Sequence, residues 1–97
     1  MRAYYSKFVG HCLRFYASHP DPKFKSEADK KNWYACDNAL KGFSDSEREM
    51  LTTIYSEGDT IPDNVYQMAR KMNVKQDVIW KLLNDLERKV AKRRGLL

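Results

Sequence analysis

The sequence predicts an all-α fold of about five helices. Three observations carry this. Apolar residues recur at helical spacing in each long segment, no segment shows the clean alternation of a strand, and glycine, proline and asparagine fall between the striped segments. A chain of 97 residues is expected to form one domain. Within it, residues 1–42 read as an N-terminal helical pair and residues 43–97 end in a helix-turn-helix.

A first helix is predicted over Ala3 to Ser18, where Tyr5, Phe8, Val9, Cys12, Leu13 and Tyr16 make a broad apolar face. His19-Pro20-Asp21-Pro22 ends it, because each proline lacks a backbone donor and disfavours a helical residue before it. A loop runs to about Lys25. Ser26 then caps a second helix that runs to Lys41 and closes at Gly42. Trp33, Cys36, Ala39 and Leu40 are expected inside, with Lys30, Lys31, Asn32 and Asp37 facing water.

Ser44-Asp45-Ser46-Glu47 is a capping box: the serine oxygen accepts from the Glu47 amide, and the Glu47 carboxylate accepts from the Ser44 amide. The third helix starts at Asp45, buries Met50, Leu51 and Ile54 with Tyr55 beside them, and stops at Gly58. Asp59-Thr60-Ile61 leads to Pro62, placed in the first turn of the fourth helix.

The fourth helix carries VYQMARKM, with Val65, Met68, Ala69 and Met72 on one stripe. Asn73-Val74-Lys75 breaks it, and a fifth helix from near Gln76 to Ala91 buries Ile79, Leu82, Leu83, Leu86 and Val90. Ala69 is small where two crossing helices leave little room. Asn73 tolerates the left-handed conformation of a sharp turn, and Val74 is expected to plug the core after it. Gln76, Asp77, Lys81, Asn84 and Arg88 then lie on or beside the outer face, the outline of a helix-turn-helix DNA reader.

The net charge is +5 and uneven: Arg70, Lys71, Lys75, Lys81, Arg88, Lys89, Lys92, Arg93 and Arg94 crowd the last third against Asp77, Asp85 and Glu87. Such an end suggests a polyanionic partner. Favourable placement of cations at a helix C-terminus accounts for Lys92 to Arg94 but not for Lys75 and Lys81.

No apolar run approaches the roughly 18 residues that span a bilayer, so no membrane partner is expected. The apolar patch Phe8-Val9 and Cys12-Leu13 is broken by His11 and Arg14 and lacks a small-residue cleavage site, unlike a signal peptide. A cytoplasmic location follows as the expectation, with Cys12 and Cys36 as buried free thiols. His11, Cys12, His19 and Cys36 match no zinc spacing, and no phosphate loop or nucleophile motif is present. The expectation is therefore no catalysis, no cofactor and no metal.

The stretches ALKGFSDSEREMLTTIYSEGDT, VYQMARKMNV and DVIWKLLNDLERKV, within the run from about Ala39 to Leu97, resemble the region-four DNA-binding domain of bacterial RNA polymerase sigma factors and the short sigma-like regulators of phages and mobile elements. The resemblance implies base contacts from Lys75, Gln76, Asp77, Trp80, Lys81 and Asn84, and phosphate contacts from Lys71, Arg88 and Lys89. Side-chain chemistry fits: Gln76 and Asn84 suit adenine, Lys81 guanine and Asp77 cytosine, while phosphate contacts carry no sequence information. Trp80 is equally suited to cover the core edge, and Lys75 stands where the family commonly caps the helix with serine or threonine. The N-terminal forty residues hold no segment for melting a promoter or for the main polymerase contact. The implied function is a sequence-specific double-stranded DNA-binding transcriptional regulator, with RNA polymerase as a candidate second partner and the oligomeric state open to a homodimer. The competing function is a helical protein-interaction module, its seam formed by Ile79, Leu82 or Leu83, Leu86 and Val90.

Overall fold

The computed structural model describes residues 3–97 and contains α1 (Ser6–Ser18), α2 (Glu27–Leu40), α3 (Asp45–Ser56), α4 (Ile61–Met72) and α5 (Gln76–Arg93). Among the described residues there is no strand. Side-chain oxygens start three of the helices. Ser26 accepts from the Asp29 amide at 3.1 Å, Ser44 and Glu47 form the full capping box, and Thr60 accepts from the Asp63 amide at 3.3 Å.

Some helix ends differ from expectation, each for a local reason. α1 begins at Ser6 rather than Ala3, because Ala3 and the two tyrosines form a turn closed by the Ser6 amide on the Ala3 carbonyl at 3.0 Å. α3 ends at Ser56, before Gly58, because Glu57 is extended. Gly42 does not adopt the left-handed conformation of a glycine stop, which among described glycines is found at Gly95. Lys41, Gly42 and Phe43 instead donate three residues back, at 3.1–3.3 Å. What Gly42 provides is room: a Cβ there would lie 3.2 Å from the Lys89 ammonium.

One apolar cluster draws on every helix. It joins Val9, Cys12 and Leu13 to Cys36, Ala39 and Leu40, to Leu51 and Ile54, to Val65 and Ala69, and to Ile79, Leu83, Leu86 and Val90. α1 packs on α2, α3 and α5, so it lies at the centre of this cluster; α2 packs on α5, α3 on α4, and α4 on α5. The N-terminal pair thus shares the core of the helix-turn-helix and does not merely extend it. Cys12 and Cys36 are buried free thiols, and burial pushes both thiol pKa values up.

Four positions depart from the predicted stripes. Phe8 is exposed, because Val9, Cys12 and Leu13 form the inner stripe of α1. Leu82 is only partly buried at the edge of the cluster, and Met72 and Val74 are exposed. Two polar residues of α2 expected to face water are partly covered and bonded. Asn32 accepts from Arg94 Nε at 2.7 Å, and Asp37 accepts from the Tyr16 hydroxyl at 2.7 Å. Burial and this bond raise the Tyr16 pKa to about 12.

Candidate nucleic-acid interface

The interface is built from the end of α4, a three-residue turn and α5. Asn73 has φ 54° and ψ 48°, and among the described residues it is the one non-glycine residue with positive φ. The Val74 amide donates to the Ala69 carbonyl at 3.0 Å and the Asn73 amide to the Arg70 carbonyl at 3.3 Å. This pair of bonds is a Schellman motif, which satisfies carbonyls that the ending helix would otherwise leave open and reverses the chain. Ala69 is buried at this corner, as its size requires.

α5 then divides into two faces. Ile79, Leu83, Leu86, Glu87, Val90 and Ala91 are buried. Asp77, Lys81, Asn84 and Arg88 are exposed and recur at i+3 and i+4, with Asp85 and Lys92 on the same side. Lys75 and Gln76 are exposed at the start of the helix, and Lys71 is exposed on the last turn of α4. Lys75 makes no side-chain cap.

Two residues of the expected set lie elsewhere. Trp80 is half-buried against the edge of the core cluster. Lys89 is also half-buried: its ammonium lies 4.6 Å from the Phe43 ring centroid and 3.4 Å from an Asp85 carboxylate oxygen. The pair is partly exposed and therefore weak, but it places a positive charge beside Asp85. The outward charge of the surface is consequently Lys71, Lys75, Lys81, Arg88 and Lys92 against Asp77.

Glu87 lies inside the fold and not on the outer face with the other charged residues of the helix. It is 2% exposed, and its carboxylate accepts from the Tyr55 hydroxyl at 3.0 Å and from Ser6 Oγ at 3.1 Å. The signal was present, since Leu83, Glu87 and Val90 keep the stripe spacing, but a charged residue type hid it. Asn64 was hidden similarly, between Ile61 and Met68; it is buried and donates to the Ile54 carbonyl at 2.9 Å.

The turn also exposes Met72, Val74 and Val78. The left-handed Asn73 carries Val74 outside the corner, so it does not plug the core. By contrast Ile79, Leu83, Leu86 and Val90 are fully buried within the chain, and a dimer seam through them would require α5 to leave its own core.

Comparison with protein-family models, curated proteins and solved structures found no match for the chain. No helix among the described residues is long and apolar enough to cross a membrane. No group of three or more His, Cys, Asp or Glu among them is placed to hold a metal ion.

Proposed function

We propose that the protein is a sequence-specific double-stranded DNA-binding transcriptional regulator that lays α5 in the major groove. One observation carries the reading: a left-handed Asn73 turn sets α5 so that its apolar face is consumed by the core while Lys81, Asn84 and Arg88 remain free on the other. Gln76 and Asn84 would bridge adenine edges, Lys81 would reach guanine and Asp77 would accept from cytosine. Lys75 would join them at the base edges from the start of the helix, while Lys71 and Arg88 would hold phosphates. Met72, Val74 and Val78 suit the thymine methyl group. The resemblance of Ala39 to Leu97 to sigma region four supports a regulator of phage or mobile-element type acting in the cytoplasm, with RNA polymerase as a second partner.

Selection of duplexes from a random pool at about 150 mM salt tests this, with a Gln76→Ala, Lys81→Ala double variant beside the wild type. A motif recovered by the wild type and lost by the variant is the expected result. If no motif emerges, the alternative gains: a helical module that binds protein through the exposed Met72, Val74 and Val78.

A further inference from the structure

The C-terminal half of α5 and the facing side of α2 border two open hollows that share only Lys92 with the reading face. One, of about 700 Å³, is lined by Lys31, Tyr34, Asn38, Arg93 and Arg94, among others; the other, of about 470 Å³, by Asn38, Gly42, Lys89, Lys92 and Arg93. Asn38 and Arg93 border both, so the two adjoin at these residues and together make one basic surface groove. No carboxylate lines either hollow. Lys31, Lys92 and Arg93 have no ion-pair partner among the described residues, whereas Arg94 is held by its bond to Asn32.

Tyr34 supplies the second, independent feature. It is 41% exposed, though aromatic, and it lies within the basic lining. Its ring meets Trp33 at 5.0 Å and an interplanar angle of 80°, and Phe24 at 5.8 Å and 59°. Neither neighbour stacks on it face to face, but both fix its orientation. An oriented, uncovered aromatic ring among unpaired cations is the arrangement that takes a base and its flanking phosphates from a single strand. In a duplex the bases are paired and stacked on one another, so none is available to lie on the ring.

We propose that this groove binds single-stranded nucleic acid, with a base on Tyr34 and the phosphodiester backbone along Lys31, Arg93 and Lys92. The groove meets the outer face of α5 at Lys92, but Lys31, Tyr34 and Arg93 lie off that face, and the inference does not rest on α5 reading duplex DNA.

The test is fluorescence anisotropy of a labelled oligothymidine of about 12 nucleotides at low salt, with an unlabelled duplex of equal length as competitor. The single strand binds the wild type and outlasts the duplex in competition. Tyr34→Leu weakens binding about tenfold and Tyr34→Phe leaves it unchanged. Lys31→Gln and Arg93→Gln each reduce the log-log salt slope by about 0.7. Lys81→Ala has no effect on the single strand. Absence of binding overturns the proposal, as does equal competition by the duplex or indifference to the Tyr34 and Arg93 variants. If Tyr34→Leu lowers the melting temperature, the exposed Lys31→Gln, Arg93→Gln pair decides alone: loss of binding upholds the groove and full binding refutes it.

Discussion

Arg14 and Asn64 donate to the same two backbone carbonyls. Arg14 reaches Glu57 O at 2.9 Å and Asp59 O at 2.8 Å, while Asn64 Nδ2 reaches Asp59 O at 3.2 Å and Glu57 O at 3.5 Å. One residue comes from α1 and the other from α4, and between them they tie down the chain where α3 ends. Asn64→Ala is expected to cost about 1 to 3 kcal/mol, because it strands the buried Ile54 carbonyl. Arg14→Ala, whose acceptors water can reach, should cost about 1 kcal/mol or less. Urea unfolding of both single variants and the double variant should show non-additivity, since the acceptors are shared; strict additivity would mean that the two clamps act independently.

Asn73→Ala forces a β-carbon residue with no local hydrogen-bonding side chain into the left-handed region and should destabilise the fold by about 1 kcal/mol. Asn73→Gly should be neutral or slightly stabilising. Equal stability of all three proteins in urea would show that the turn does not depend on this conformation.

Ala69→Leu adds bulk at a buried corner whose carbonyl also anchors Val74. The expected cost is about 1 to 3 kcal/mol, read as a lower melting temperature. An unchanged melting temperature would mean that α4 and α5 are not in close contact there.

On the reading face, Gln76→Ala or Lys81→Ala should lose roughly 1 to 3 kcal/mol of discrimination at one base pair while leaving stability intact, because both residues are exposed. Lys71→Ala and Arg88→Ala should instead weaken binding evenly across sequences, each lowering the salt slope by about 0.9. A uniform loss for Lys81→Ala would reassign it to the phosphates.

The folded state holds Tyr16 and both thiols in their protonated forms, with pKa values above those of the unfolded chain. The stability this contributes is complete below the unfolded values and is lost as pH rises through the folded ones. Chemical denaturation should therefore show a loss of stability beginning above about pH 9, as the thiols titrate in the unfolded chain, and continuing through pH 10 to 12, where Tyr16 acts. Tyr16→Phe should flatten the upper part of that fall. The thiols should also react slowly with a disulfide reagent until the protein unfolds.

Helix count, caps and the turn could be read from sequence because each depends on local chemistry. Ser44 and Glu47 stand three residues apart, Ser26 follows the prolines, and Asn73 breaks a stripe. What could not be read depends on partners distant along the chain. Glu87 is buried because hydroxyls of Ser6 and Tyr55 reach it, and Asp37 is covered because Tyr16 does. Lys89 turns from the outer face because Phe43 and the space at Gly42 receive it. Met72 shows the opposite failure: it keeps the stripe spacing but lies beyond the last point at which α4 touches the core.

The central position of α1 also ties the start of the chain to α5. Its apolar stripe is completed by α5, far along the chain, and Ser6 meets its acceptor Glu87 only when α5 is present. During synthesis α2 and α3 can cover part of the first helix, but the side of its stripe that faces α5 has no covering surface until α5 has emerged. The segment from α3 to α5 is therefore not a cassette that can be cut out and transplanted: a fragment starting at Ser44 would lose the centre of its own interior.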